Sequence, residues 1–84
     1  MVIINYHVGM DKYETLEQMR KSEGLSMREV AMQMGMTHQN IMRLEAEASA
    51  PMQTLFEYSR AIRKPFMDVV IVAAKMWESQ NLVK

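Results

Sequence analysis

The sequence predicts an all-α fold, a bundle of five short helices that contains a helix-turn-helix. Apolar residues recur three and four positions apart from residue 13 to residue 80, which is the spacing of helices that bury one face. A capping residue or a proline precedes each of these stretches, and two of them end at a glycine. The 84 residues suffice for one small domain, and the absence of cysteine excludes disulfides and thiolate metal sites.

The first ten residues have a different pattern, in which β-branched and aromatic residues alternate and predict a possible short N-terminal β-strand. Because a lone strand needs a partner strand, residues 1–10 form either a strand that pairs with its copy across a dimer or an extended arm that is frayed or is a remnant of expression. The strand would end at Gly9, and one face would consist of Val2, Ile4, Tyr6 and Val8.

The first two helices are predicted from capping residues and glycines. Helix one should begin after Asp11, whose carboxylate can cap the first turn, and should stop at Gly24. Helix two should begin after Ser26, because Ser26 and Glu29 have the spacing of a capping box. It should end at Gly35, with Val30, Ala31 and Met34 on its inner side.

Thr37 is the expected cap of the third helix, predicted over Thr37–Ala46. Pro51 and Pro65 suit the first turns of helices four and five, where the missing amide is not needed, and helix five should run to about Gln80. The predicted inner residues are Ile41 and Leu44 in helix three, Leu55, Phe56, Ser59 and Ile62 in helix four, and Phe66, Val69, Val70, Ala73 and Trp77 in helix five.

The segment Met27–Ala46 has the local features that a helix-turn-helix requires. Two helices that cross steeply after a short turn need a small residue at the crossing, and Ala31 supplies it. The turn needs a residue that tolerates positive φ, and Gly35 supplies it. Thr37 caps the second helix, whose N-terminus would face DNA.

At these residues the chain resembles the XRE family, the lambda-repressor and Cro-like helix-turn-helix domains of phage and bacterial regulators. The resemblance covers roughly Leu16 to Ile62 and implies a lambda-repressor-like bundle. It also implies a structural salt bridge between Arg20 and Glu45, which would hold helix one against the recognition helix. The residues that carry it are Leu16, Met19-Arg20, Gly24-Leu25-Ser26, the motif itself, Arg43-Leu44-Glu45 and Pro51.

The outward stripe of helix three supplies the candidate DNA contacts. Gln39 can make two hydrogen bonds to adenine and Arg43 two to guanine. The resemblance assigns base contacts to His38, Gln39 and Arg43, and backbone contacts to Thr37 and Asn40. Ser26 is a further candidate for a backbone contact. The family usually has a phosphate-binding glutamine where Met27 stands, so Arg28 is the candidate replacement.

Helix five has a second apolar stripe that a monomer would leave exposed. Met67, Ile71 and Ala74 form this stripe, and an exposed apolar face usually marks an interface. The prediction is a homodimer formed mainly by this helix; the alternative is that the bundle wraps around both stripes. The predicted organisation is an arm or dimer strand over 1–10, a DNA-binding domain over 11–64 and a C-terminal dimerisation helix over 65–84.

These features predict a transcriptional regulator, a homodimeric repressor that reads a palindromic operator in double-stranded DNA. The alternative is a protein-interaction module, such as an antitoxin or accessory factor, which the balance of ten basic and ten acidic residues favours. We expect no enzyme, because no nucleophile stands near a base and no phosphate loop is present. We also expect no metal, no cofactor, no membrane insertion and a cytoplasmic location.

Overall fold

The computed structural model describes residues 13–82 as five helices without a strand in that range. Residues 2–8, for which the sequence predicts a strand, lie outside the described residues, as does Asp11. Helices two and three, which the sequence assigns to the helix-turn-helix, are separate elements. The helices are α1 (Leu16–Ser22), α2 (Met27–Met34), α3 (His38–Glu47), α4 (Met52–Ala61) and α5 (Phe66–Leu82).

Helix α1 begins at Leu16, so the prediction that it begins after Asp11 is wrong. Thr15 is the N-cap, and its hydroxyl accepts a hydrogen bond from the amide of Gln18 at 3.1 Å. The side chain of Gln18 in turn accepts one from the amide of Glu14 at 2.8 Å. The bond to Thr15 satisfies an amide of the first turn that has no partner within the helix, and Leu16 at the start of the helix is completely buried.

The capping residues of α2 and α3 are those that the sequence predicts. Ser26 and Glu29 form the expected capping box, with Ser26 accepting from the amide of Glu29 and Glu29 accepting from the amide of Ser26. Gly35 ends α2 at φ 65° and ψ 33°, the left-handed conformation that glycine adopts without strain. Thr37 caps α3 by accepting from the amide of Asn40 at 3.2 Å. The helix itself begins at His38 and extends through Glu47.

Helix α4 buries three of its four predicted inner residues, Leu55, Ser59 and Ile62, but not Phe56. Tyr58 is completely buried, whereas Phe56 is 41% exposed, so the placement of Phe56 on the inner face is wrong. Phe56 packs at the surface against the ring of Phe66, edge to face with centroids 5.3 Å apart. Leu55, Tyr58 and Ile62 therefore form the inner stripe, at the spacing of three and four residues that a helix face requires.

Helix α5 closes the bundle with a face that the sequence predicts only in part. Val69 and Ala73 are buried as expected, and Val72 joins them. Trp77 is 49% exposed, so its placement over the core is wrong. The reason is that α5 is apolar on most of its circumference, which leaves the inner face ambiguous from spacing alone. The remaining buried core consists of Leu16, Met19, Leu25, Val30, Ala31, Ile41, Leu44, Ala48, Leu55, Tyr58, Ala61 and Ile62.

Candidate nucleic-acid interface

The outward face of α3 carries a patch of four side chains. His38 and Met42 are four residues apart along the helix, as are Gln39 and Arg43, so the four form two adjacent rows. All four are exposed, while Ile41 on the opposite side of the helix is completely buried. We call His38, Gln39, Met42 and Arg43 the α3 patch.

The side chains of the α3 patch make no hydrogen bond or ion pair with any residue from 13 to 82. Their donors and acceptors therefore remain available to a ligand. Gln39 presents an amide with both donors and an acceptor, and Arg43 presents a planar guanidinium with five donors. Such groups match the polar edges of bases in a major groove.

A buried ion pair holds α3 against α1. Arg20 donates to Glu45 through Nε at 2.6 Å and through Nη2 at 3.1 Å, so the expected pair is present and has two hydrogen bonds. Arg20 also donates to the carbonyl of Leu25 at 2.9 Å, which fixes the loop before α2. Both side chains are about 95% buried. The hydrogen bond to Glu45 raises the pKa of Arg20 above its usual value, so the guanidinium stays charged.

Tyr58 extends this pair to α4. Its hydroxyl donates to Glu45 at 2.6 Å and lies 3.3 Å from the carbonyl oxygen of Leu16. Burial and the bond to Glu45 raise the pKa of Tyr58 above its usual range, so the hydroxyl keeps its proton. No buried polar side-chain atom among the described residues lacks a partner. Three helices thus meet at one carboxylate, that of Glu45, two residues beyond Arg43 in the sequence.

The candidates for DNA-backbone contacts lie at the starts of α2 and α3. Ser26 and Thr37 are exposed, and each hydroxyl oxygen accepts a hydrogen bond from a backbone amide of the helix that it caps. The hydroxyl proton of each residue therefore remains free to donate a second hydrogen bond. Arg28 is exposed in the first turn of α2, and Asn40 is half-buried in the first turn of α3.

Asn40 and Arg43 also border a shallow groove between α3 and the start of α4. Ser49 and Thr54 are among the residues that line the groove. Helix α4 begins at Met52 after Pro51, and no side chain caps its N-terminus. The amides of its first turn, which have no partner within the helix, therefore also have no side-chain cap, and free amides of this kind favour a bound anion.

The outer side of α5 exposes apolar side chains. Met67 is 49% exposed and Ala74 is exposed, while Ile71 is half-buried. Trp77 and Val70 border an apolar groove that runs between α5 and the start of α4. The exposed apolar surface is therefore wider than the stripe of Met67, Ile71 and Ala74 that the sequence indicates.

Two contributors to this interface lie beyond what the sequence reasoning used. The sequence indicates no role for Tyr58, because its partner Glu45 is 13 residues away and on another helix. Its spacing of three residues from Leu55 could have indicated the inner position. The open start of α4 could have been read from Pro51, which offers no oxygen on its side chain to cap a helix.

Within residues 13–82, no three His, Asp or Glu side chains are grouped so that they could hold a metal ion. None of the helices in this range has the length and hydropathy needed to cross a bilayer.

Comparison with known proteins gives one result. A family model described as Helix-turn-helix matches residues 16–69, which is more than half of the chain. No curated protein and no solved structure matches the chain significantly. The matched residues begin with α1 and end in the first turn of α5, so they include the whole helix-turn-helix and the Arg20–Glu45–Tyr58 contacts. The chain belongs to the Cro/C1-type helix-turn-helix family, also called the XRE family, whose domains are those of DNA-binding regulators.

Proposed function

We propose that this protein is a homodimeric transcriptional repressor that reads a palindromic operator with α3 in the major groove. The observation that carries the proposal is the α3 patch, whose hydrogen-bonding side chains are exposed on a helix anchored by the buried Arg20–Glu45–Tyr58 contacts. An anchored helix presents these side chains in a fixed register, which base readout requires. The proposed role is binding, without catalysis, in the cytoplasm.

Direct readout is assigned to three residues of the patch. Arg43 donates to the two acceptors of a guanine, and Gln39 pairs with an adenine. His38, in the first turn of α3, contacts a base or a nearby phosphate. Each good bidentate pair discriminates against a wrong base by about 1–3 kcal/mol.

Contacts to the DNA backbone then set the position of the protein along the duplex. Ser26, Thr37 and Asn40 donate hydrogen bonds to phosphate oxygens, and Arg28 adds a charge. The open start of α4 supports a further phosphate contact beside Arg43. Because the chain carries no net charge overall, the fall of affinity with salt reports the phosphates that basic side chains such as Arg28 neutralise locally.

The proposed dimer uses the apolar outer side of α5. Met67, Ile71 and Ala74 form its centre, and Val70 and Trp77 widen it. A two-fold dimer would place two α3 helices about 34 Å apart, which matches successive major grooves on one side of the duplex. Occupancy of such a site within a promoter would exclude polymerase, which is the proposed means of repression.

Selection of bound sequences from a random duplex pool tests the proposal. We expect a palindrome with half-site centres about 10 base pairs apart. On the selected duplex, Arg43→Ala should weaken binding about tenfold or more per half-site, while binding to random duplex changes little.

The matched control is Arg60→Ala, which removes the same charge from the last turn of α4, the end of that helix remote from the groove beside Arg43. This variant should bind as the wild type does. A pool without enrichment, or equal losses for Arg43→Ala on both duplexes, would contradict sequence-specific readout by Arg43.

A second candidate function is a protein-interaction module, such as an antitoxin or accessory factor that binds DNA weakly. The apolar groove between α5 and α4, together with the zero net charge, favours this alternative. A salt titration separates the two functions, because affinity for DNA falls with salt in proportion to the phosphates that are neutralised. Sedimentation with and without the selected duplex tests the homodimer: a monomer in both at tens of micromolar excludes it.

A further inference from the structure

We propose that Met42 is a specificity-determining residue that contacts the C5-methyl group of a thymine in the operator. This inference rests on the proposed function, since it requires α3 in the major groove. It adds an apolar contact to the readout that His38, Gln39 and Arg43 provide by hydrogen bonds. The starting observation is that Met42 is 46% exposed within an otherwise polar patch.

The position of Met42 places it among the reading side chains. It lies one turn beyond His38 on the same row and next to Arg43 in the second row. Its neighbours Ile41 and Leu44 point into the core, so the helix cannot rotate to bury Met42 without exposing them. Around the helix Met42 lies between His38 and Gln39, so a ligand that contacts both His38 and Gln39 would span the Met42 side chain.

The chemistry of the thioether decides what it can recognise. Methionine offers no hydrogen-bond donor and only a weak acceptor, so it cannot satisfy the polar edge of adenine, guanine or cytosine. Opposite those edges it would displace water without replacing the lost hydrogen bonds, which costs affinity. Thymine alone of the four bases presents a methyl group in the major groove. Methionine is flexible enough to reach such a group from a range of positions along the helix.

Exposed methionines elsewhere in the chain provide the contrast. Met32 is 76% exposed on α2 and does not belong to the α3 patch. If Met42 were merely another exposed methionine, replacing it would leave the base preference of the protein unchanged, as replacing Met32 should. Of these two methionines, we expect only Met42 to affect which base is preferred.

The experiment replaces thymines of the selected duplex, one position at a time, with deoxyuridine, which pairs identically but lacks the methyl group. Wild-type protein should lose affinity about fourfold at one thymine per half-site, the equivalent of about 0.8 kcal/mol for one methyl group removed from contact. Met42→Ala should bind the thymine and uracil duplexes with equal affinity. Met42→Leu should retain part of the discrimination, and Met32→Ala all of it.

The outcomes separate this inference from the proposed function. Absence of any selected sequence would refute the proposed function itself. A selected site at which no thymine-to-uracil change matters, or which contains no thymine opposite α3, overturns the role of Met42 and leaves sequence-specific binding intact. The same conclusion follows if Met42→Ala, checked for unchanged helicity, keeps the fourfold discrimination.

Discussion

Removal of Arg20 is the strongest perturbation that the structure suggests. Arg20→Met keeps an apolar chain of similar reach but deletes two hydrogen bonds to Glu45 and one to the carbonyl of Leu25. Glu45 would remain about 95% buried with Tyr58 as its one donor among these contacts. Breaking a buried pair in this way costs about 3–5 kcal/mol, because it leaves a charge without compensation.

This cost is large compared with the stability of so small a domain. An 84-residue protein has a free energy of unfolding of about 4–13 kcal/mol. With a slope of about 1 kcal/mol per molar urea, the midpoint of urea unfolding should fall by about 3 M or more. Helicity measured by circular dichroism is the appropriate signal, since the five helices would be lost together.

The double variant Arg20→Met with Glu45→Leu tests whether the loss of stability comes from the unpaired buried charge of Glu45. Replacing both charges with apolar side chains removes the burial penalty together with the attraction, so the double variant should be more stable than Arg20→Met alone. The exposed ion pair of Glu17 and Lys21 gives the control, and Glu17→Gln should leave the midpoint almost unchanged. If the free energy of unfolding of the double variant were lower than that of Arg20→Met, the account of Glu45 as an uncompensated charge would be refuted.

Three further predictions concern the other residues that shape the domain. The folded pKa of Tyr58 lies above its unfolded value near 10, so its contribution to stability is complete below pH 10 and declines above it, by up to about 1.4 kcal/mol per pH unit. Urea unfolding between pH 8 and 11 should show this decline in the wild type and a weaker one in Tyr58→Phe. Gly35→Ala should cost about 1–2 kcal/mol from backbone strain alone, since no atom lies within 4 Å of an added Cβ, and Gly35→Asn should cost less by the same assay. Thr37→Ala should cost about 1 kcal/mol in thermal or urea unfolding, whereas Thr37→Ser should retain the cap; a neutral Thr37→Ala would show that the hydroxyl is dispensable.

The capping and turn features were predictable because each depends on residues a few positions apart. The Ser26–Glu29 box, the left-handed Gly35 and the Thr37 cap are all local, and the structure confirms each. The start of α1 shows where local reasoning becomes ambiguous. Asp11 is followed three residues later by Glu14, and Thr15 is followed three residues later by Gln18, so both have the spacing of a capping box. Only the packing of the bundle decides that Thr15 is the N-cap.

The errors in the core arise where several helix faces are equally apolar. Phe56 and Tyr58 are both large aromatics, and helical spacing admits either as an inner residue. Tyr58 is the inner one because its hydroxyl finds the buried carboxylate of Glu45, a partner that Phe56 could not use. The misplacement of Trp77 has the same origin, since α5 offers Val72 as an alternative at a compatible spacing. Both choices depend on contacts between helices that are distant in sequence.

The α3 patch was predictable because helical periodicity alone separates its outward residues from Ile41 and Leu44. The buried contacts that hold α3 in place were predictable only in part. The family resemblance indicated Arg20 and Glu45, but the spacing of residues gave no reason to add Tyr58. An apolar replacement of these three residues would fill the same volume, yet apolar contacts are not directional and would allow α3 to rotate or slide slightly on α1 and α4. Hydrogen bonds of 2.6 Å from two helices to the one carboxylate of Glu45 restrict both motions. Since Arg43 lies two residues before Glu45, that restriction bears directly on where its guanidinium would meet a base in the proposed complex with DNA. The buried charges are therefore best understood as fixing the register of α3, with stability as a secondary result.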